Sequence, residues 1–179
     1  AAVFQLLGAD PRFLVDGEGM WTLDPTLAPL GVSLGEVSFA VVDVETTGGR
    51  AWDGSRITEI AIVEVCGGTI VDEYQTLVNP AMGIPAMITS LTGITGAMVS
   101  GAPYFEHIGE EITRRLEGRV FVAHNATFDW NFVSAELVRA NLDVPTVPKL
   151  CTVRMVRRLV STPRHRNLDV VTRHFGIEI

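Results

Sequence analysis

Cysteine is scarce in this chain: among 179 residues there are only two, Cys66 and Cys151. Their spacing matches no metal-binding pattern, so we expect two reduced, buried thiols in a cytoplasmic protein. Long apolar runs are also absent, since none reaches the roughly 18 residues that a membrane-spanning helix needs. The first residues, Ala1 to Val3, include neither a Met nor a charged stretch, so we expect no signal peptide and infer that the sequence begins inside a longer protein.

Net positive charge is lacking as well. The formal net charge is −7, which argues against a protein that coats nucleic acid by charge alone. The hydrophobic content of 47% and the length are those of a globular chain that buries one core. Seven of the 14 Lys and Arg residues nevertheless lie between Lys149 and Arg173, against one acid, Asp169. This stretch is either a solvated helix face or a local contact to a phosphate backbone.

Residues 1–36 differ from the rest of the chain. Two short β-rich runs around Asp16-Gly17-Glu18-Gly19 predict a hairpin, and Pro25, Pro29 and Gly31 indicate a loop or linker after it. The hairpin somewhat resembles the wing of a winged-helix domain, but the helices of such a domain are not predicted here. We therefore interpret 1–36 as an N-terminal extension or linker, with a remnant of a preceding domain as the alternative.

Residues 37–179 alternate strand and helix patterns. Apolar runs predict buried strands at 37–44 and 119–124, and the runs 57–66 and 69–78, joined by Gly67-Gly68, predict an antiparallel hairpin. Residues 81–103 suggest a structured loop with short helical turns. Apolar spacings of three and four predict helices over 104–117, 128–141, 152–160 and 167–175. This order is typical of a mixed α/β domain.

Two carboxylates interrupt the first of these strands. Asp43 and Glu45 lie at positions i and i+2, so they project from the same face, about 6.6 Å apart along the chain. Two like charges this close repel each other unless a cation lies between them, and carboxylates select hard ions such as Mg²⁺ or Mn²⁺. The alternative is a strand end whose acids face solvent, because this short pattern is common.

A third acid, Asp129, follows in the segment His124-Asn125-Ala126-Thr127-Phe128-Asp129, where a strand gives way to a helix. An acid in a first helical turn is favoured by the helix dipole, and this explanation would suffice for Asp129 alone. Together with Asp43 and Glu45, however, it gives three acids from two segments. Such a set matches the two-metal arrangement of phosphoryl chemistry.

The segments FAVVDVETTG, LTGIT and HNATFDWNF, in this order, closely resemble the DnaQ-like 3′–5′ exonucleases. This family has the ribonuclease H-like fold and includes proofreading subunits and domains of bacterial replicative polymerases. The resemblance implies an α/β fold, in which a mixed five-stranded sheet is flanked by helices and follows a short N-terminal β-hairpin extension. It implies that Asp43, Glu45 and Asp129 are the catalytic residues and ligate two Mg²⁺ or Mn²⁺ ions. The substrate-binding positions that it implies are Thr46, Thr47, Gly48, Leu91, Thr92, His124, Asn125 and Phe128.

One element of the family pattern is missing. In the His subclass, a His-x-x-x-x-Asp motif on the last helix supplies a general base and a fourth carboxylate, but this sequence stops at Ile179, just before the motif is due. His165, Asp169 and His174 precede that position and do not match it. We expect a truncated piece of a longer enzyme, weakly active or inactive as given; the alternative is a protein that lacks the motif by design.

The resemblance implies a metal-dependent exonuclease that removes nucleotides from single-stranded or frayed DNA 3′ ends in proofreading or repair. Two alternatives stay open, namely an RNA 3′ exonuclease of the same superfamily and a catalytically dead nucleic-acid-binding module. The implied partners are a nucleic acid 3′ end and a DNA polymerase or other domains of a longer chain. No membrane partner is expected.

Overall fold

The computed structural model of the chain describes residues 13–15, 17, 20–23, 33–160 and 167–177. The chain forms two compact units, Ala1–Glu36 and Val37–Ile179. In the first unit, strand β1 (Phe13–Val15) pairs antiparallel with β2 (Trp21–Leu23), which confirms the predicted hairpin. Most of its turn, together with the linker around Pro25 and Pro29, lies outside the described residues.

The second unit is built on a five-stranded mixed sheet, as the family resemblance implies. Its strands are β3 (Ser38–Thr46), β4 (Ile57–Cys66), β5 (Thr69–Leu77), β6 (Val120–Ala123) and β7 (Lys149–Cys151), in the spatial order β5-β4-β3-β6-β7. Strands β3, β4 and β5 pair antiparallel, whereas β6 and β7 continue the sheet in parallel. The β4–β5 hairpin is confirmed. Gly67 and Gly68 both have positive φ (59° and 76°), as two-residue hairpin turns require.

Helices connect and flank the strands. They are α1 (Ala86–Thr92), α2 (Gly96–Val99), α3 (Phe105–Leu116), α4 (Ala126–Arg139), α5 (Thr152–Leu159) and α6 (Leu168–Phe175), with a 3₁₀ turn at Ala51–Asp53. The core combines alternate residues of β3 and β4 with the apolar faces of α3 and α4. Its largest fully buried side chains include Phe105, Ile112, Phe121, Phe132 and Leu137.

Two buried ion pairs join the helices to the sheet. Arg115 of α3 lies 2.8 Å from Glu64 of β4 and 3.0 Å from Asp72 of β5, and its guanidinium also covers the Tyr74 ring. Glu136 of α4 accepts a hydrogen bond from Arg56 at 2.7 Å. Removing one partner of a buried pair leaves an uncompensated charge, so both pairs fix the position of their helix.

Some strands and helices begin or end at other residues than the sequence predicted. Strand β3 continues to Thr46, two residues beyond its predicted end, because β4 pairs with it that far. Helix α4 begins at Ala126, so Asp129 is its fourth residue rather than its second. Strand β7 was not predicted from the residues, because three residues are too short to show a period. None of the described helices is long and apolar enough to cross a membrane.

The prediction of two buried cysteines was wrong. Cys66 is the last residue of β4 and is exposed beside the hairpin turn, and Cys151 is half-buried. Burial alone would raise the pKa of the Cys151 thiol, but backbone N–H groups at the starts of α4 and α5 favour the thiolate. The net effect is a lowered pKa. Both thiols are free, as predicted.

Candidate active site

Asp43 and Glu45 lie near the end of β3, on the face opposite its buried residues. Val42, Val44 and Thr46 are buried, whereas Asp43 is exposed and Glu45 half-buried. Strand β6 pairs with β3 only as far as Val41, so the last residues of β3 extend past the end of β6. The start of α4, which follows β6, occupies this position beside β3.

Asp129 lies in the first turn of α4 and is only 3% exposed. Its own backbone N–H and that of Val44, the residue between Asp43 and Glu45, favour the ionised form of its carboxylate and so lower its pKa. The end of β3 and the start of α4 thus bring the three acids into one electrostatic group. Below, "carboxylate site" denotes Asp43, Glu45 and Asp129.

The three carboxylates of this site repel one another. Burial, followed by the charges of Asp43 and Glu45, raises the pKa of Asp129 to about 7, although two backbone N–H groups oppose this shift. Partial desolvation and the charge of Glu59 raise the pKa of Asp43, while His124 lowers it. Burial, Asp43 and Glu59 raise the pKa of Glu45. Because the three negative charges destabilise one another, the site favours either protonation of its carboxylates or binding of a cation.

Glu59 was missed by the sequence analysis, although it contributes to this field. It lies directly opposite Glu45 on β4 and accepts a hydrogen bond from the Gln75 amide at 2.8 Å. The antiparallel register of β3 and β4 brings the two glutamates together. Isolated strand patterns contain no register information, so the sequence offered no signal for this contact.

The chemistry of the site fits a hard divalent cation, because all three side chains offer carboxylate oxygens and each has a raised pKa. The described residues contain no group of three or more His, Cys, Asp or Glu side chains that already converge as metal ligands. The three acids are thus electrostatic neighbours, and their role as metal ligands stays a prediction.

The turn after β3 is fixed by its own side chains. Thr46 donates its hydroxyl to the carbonyl of Gly48 at 2.7 Å, and the Thr47 hydroxyl accepts the backbone N–H of Arg56 at 3.0 Å. A Cβ at Gly48 would lie 2.6 Å from Oγ of Ser55, so a larger residue at this position would clash unless the Ser55 side chain moved. Its binding to a nucleotide stays a prediction.

The residues before Asp129 also form a defined structure. His124 is half-buried, with Nδ1 2.9 Å from the Thr152 hydroxyl. Asn125 precedes α4 in the left-handed conformation (φ 81°), and its carbonyl accepts the N–H of Phe128 at 2.8 Å. The half-buried Phe128 ring packs 4.9 Å from that of Phe132, measured between centroids. His124 interacts electrostatically with Asp43, which places it beside the carboxylate site.

Leu91 and Thr92 end the short helix α1. Leu91 is 80% exposed. Thr92 donates its hydroxyl to the carbonyl of Ile88 and accepts the N–H of Ile94, so it stabilises the end of the helix. The predicted contact of these two residues with a terminal base stays a prediction.

The chain is similar to known exonucleases. The exonuclease family model RNase_T matches residues 40–179, which contain the whole carboxylate site. The 3′–5′ exonuclease DinG of Bacillus subtilis is 42% identical over 119 residues, which cover 66% of this chain and 13% of DinG. The chain belongs to the DnaQ-like 3′–5′ exonuclease family. A protein of Mycobacterium tuberculosis named as a bifunctional exonuclease/endonuclease is 45% identical to this DnaQ-like chain over 135 residues, covering 73% of the chain and 21% of that protein.

Solved structures agree with the DnaQ-like fold. Exonuclease X in complex with 5′ overhanging duplex DNA superposes with a TM-score of 0.64 at 26% identity, covering 79% of this chain and 75% of that one. Escherichia coli exonuclease I in complex with a dA16 oligonucleotide superposes with a TM-score of 0.71 over 80% of this chain and 37% of its own, and its 15% identity shows the shared fold alone. The DnaQ-like chain thus spans about a fifth or less of the curated relatives given above.

Proposed function

We propose that this domain is a metal-dependent 3′–5′ exonuclease that hydrolyses the terminal phosphodiester bond of single-stranded or frayed DNA. The observation that carries the proposal is the grouping of three acids, in which the buried Asp129 of α4 lies close enough to Asp43 and Glu45 of β3 for their charges to raise its pKa. The family supports exonuclease chemistry, and the relatives named as 3′–5′ exonucleases support the direction of digestion.

In this proposal, Asp43, Glu45 and Asp129 hold two Mg²⁺ or Mn²⁺ ions. Such ions would neutralise charge on the scissile phosphate and activate water as a nucleophile at neutral pH. A proton and a cation would compete for the carboxylate of Asp129, because burial and the neighbouring acids raise its pKa to about 7. Without metal ions, the carboxylate site repels the polyanionic substrate. Metal occupancy therefore controls substrate binding as well as hydrolysis.

The remaining predicted residues then position the nucleotide. The backbone of the turn Thr46–Gly48 approaches the terminal nucleotide, and the exposed Leu91 contacts its base together with Thr92 and Phe128. His124 and Asn125 support this pocket from the start of α4, with His124 held by Thr152. An unpaired base can enter such a pocket and a base within a duplex cannot, so single-stranded ends are the proposed substrate.

DNA is the proposed substrate rather than RNA, because several of the similar proteins are DNA polymerase III proteins by name and exonuclease X was solved with duplex DNA. These include a DNA polymerase III PolC-type of Bacillus cereus, 33% identical over 147 residues, of which this chain covers 10%. The same similarity leads us to propose a DNA polymerase or further domains of a longer chain as partners in proofreading or repair.

The test is digestion of a 5′-labelled single-stranded DNA and of RNA with the same sequence, with Mg²⁺ or Mn²⁺, in parallel with calorimetric titration of Mn²⁺. We expect Mn²⁺ binding that is lost in Asp43→Asn, and a weak ladder that shortens from the 3′ end of DNA. Faster digestion of RNA would support an RNA exonuclease instead. A chain that binds no Mn²⁺ and digests neither strand would be the catalytically dead module.

A further inference from the structure

A cavity of about 600 Å³ lies between α4, β7 and α5. It is lined by Thr127, Trp130 and Asn131 of α4, Lys149 of β7, and Arg154 and Arg158 of α5. None of the three acids of the carboxylate site lines it. Its volume is within the range of pockets that bind small ligands or single groups of larger ones.

The charge of this cavity is opposite to that of the chain. The chain has a formal net charge of −7, but residues 149–158 contain four basic residues and no acid. Arg154 and Arg158 are four residues apart on α5, so they project from the same face of the helix. In the described part of the chain, neither they nor Lys149 forms an ion pair with a carboxylate. Three cations that lack anionic partners lower the free energy of a bound anion.

The aromatic wall of the cavity does not serve as a base-stacking platform. The ammonium group of Lys149 lies over the Trp130 ring, 4.1 Å from its centroid, and the Phe121 ring packs against Trp130 edge to face at 5.0 Å. One face of Trp130 is thereby covered by a cation. Thr127 and Asn131, both exposed, add hydroxyl and amide donors at the rim. This combination of donors and cations suits phosphate oxygens better than a base.

The cavity begins close to the carboxylate site. Ala126 lines the cavity and lies three residues before Asp129 in α4, so the two residues are neighbours on the helix surface. Phosphates of one strand repeat every few ångströms, so a strand whose end occupies the carboxylate site can continue past the start of α4 to the cavity.

We propose that this cavity is a second nucleic-acid site, in which Lys149, Arg154 and Arg158 bind phosphodiester groups of the single strand on the 5′ side of the bond to be cleaved. The inference rests on the proposed function, since it takes the carboxylate site as the position of the 3′ end. It explains how a chain with a net charge of −7 retains a polyanion between successive cleavages.

The experiment is fluorescence anisotropy of a labelled 12-nucleotide single-stranded DNA, titrated at several salt concentrations with Ca²⁺ in place of Mg²⁺. For the double variant Arg154→Gln/Arg158→Gln we expect at least tenfold weaker binding near 100 mM salt. The slope of log K against log salt should also decrease by about 1.4, because each lost contact to a single strand removes about 0.7. The matched control is Arg114→Gln/Arg173→Gln, which removes the same charge from exposed positions on α3 and α6 and should leave the slope unchanged.

Competition identifies the source of the phosphate group. A strand is the ligand if the unlabelled oligonucleotide displaces the probe at concentrations at which inorganic phosphate and thymidine monophosphate do not. Displacement by the monophosphate at equal concentration would overturn the proposal in favour of a product or anion site. Wild-type slope and affinity in the Arg154/Arg158 variant, with an unchanged melting temperature, would overturn it too, as would a wild-type chain that does not bind the strand. Because binding in Ca²⁺ needs no cleavage, a chain that binds through the cavity but never hydrolyses DNA contradicts only the proposed function.

Discussion

The charge of Asp43 acts on the buried carboxylate of Asp129, a residue 86 positions later in the chain, and helps to raise its pKa. The two acids can approach because β6 pairs with β3 only as far as Val41, so the last residues of β3 extend past the end of β6. Asp129 follows β6 in the first turn of α4. The end of one strand and the start of one helix thus bring the third acid beside Asp43 and Glu45.

We predict that Asp129→Asn makes the metal-free domain more stable at neutral pH. The folded-state pKa of Asp129, about 7, lies above the ordinary value of 3.8. Between these values the unfolded chain loses the proton and the folded chain keeps it, so the free energy of unfolding falls as pH rises. The full difference is on the order of 4 kcal/mol above pH 7. Asparagine does not ionise and has nearly the same shape as the aspartate that it replaces.

The measurement is urea unfolding in EDTA from pH 4 to 9. The stability advantage of Asp129→Asn over the wild type should grow up to about pH 7 and stay constant above it. Asp143→Asn, at an exposed position, is the matched control and should follow the wild type at every pH. An advantage that does not change with pH would mean that Asp129 is ionised in the folded chain throughout this range.

The parts of the fold that depend on local patterns could be predicted from the sequence. The β4–β5 hairpin was predicted with its turn, because Gly67-Gly68 between two β-rich runs leaves few alternatives. Helices α3 and α4 were predicted from apolar residues that recur with helical spacing and that are buried in the structure. Strand β7 was not found, because three residues carry no period and pairing with β6 alone defines them.

The site was predictable as a set of residues but not as an electrostatic arrangement. Asp43 and Glu45 could be paired from their spacing, and Asp129 was added through the motif around it. The cross-strand approach of Glu59 to Glu45, and the contact of His124 with Thr152, both depend on tertiary register. Neither can be read from one segment, because each joins residues from two elements whose alignment is set by the whole sheet.

We predict that Asp43→Ala abolishes metal-dependent hydrolysis and Mn²⁺ binding, while the metal-free domain stays as stable as the wild type or becomes slightly more stable. Removing the acid relieves the repulsion that raises the pKa values of Glu45 and Asp129. Melting temperature in EDTA, Mn²⁺ calorimetry and nuclease rate should be measured on the same preparations, with Asp143→Ala as control. A large loss of stability in EDTA would instead identify Asp43 as a structural residue.

We predict that Arg56→Met lowers the free energy of unfolding by about 3 kcal/mol, in the range for a broken buried ion pair. Glu136, which is 1% exposed, accepts the Arg56 guanidinium at 2.7 Å and the N–H of Ile57 at 3.2 Å. Its Oε2 atom has no hydrogen-bond partner among the described residues, so the loss of Arg56 leaves a buried charge that only Arg139, at 3.4 Å, still offsets.

The matched control for this prediction is Arg50→Met. Arg50 lies 3.6 Å from Asp53, and the two side chains are 83% and 64% exposed. Exposed pairs of this kind contribute little, so urea unfolding should show a change below about 0.5 kcal/mol. Equal effects of the two substitutions would show that the Glu136 carboxylate becomes hydrated or protonated when Arg56 is absent.

We predict that Gly48→Ala destabilises the turn after β3 by about 1 kcal/mol, and that a second substitution, Ser55→Ala, relieves most of this loss. The new Cβ would lie 2.6 Å from the Ser55 Oγ atom but 3.6 Å from its Cβ, which is ordinary contact. Removing the hydroxyl therefore removes the clash. Gly49→Ala is the control, because a Cβ there meets no atom within 4 Å. Thermal unfolding of the single and double variants gives the coupling energy directly, and a value near zero would mean that the Ser55 side chain rotates away without cost.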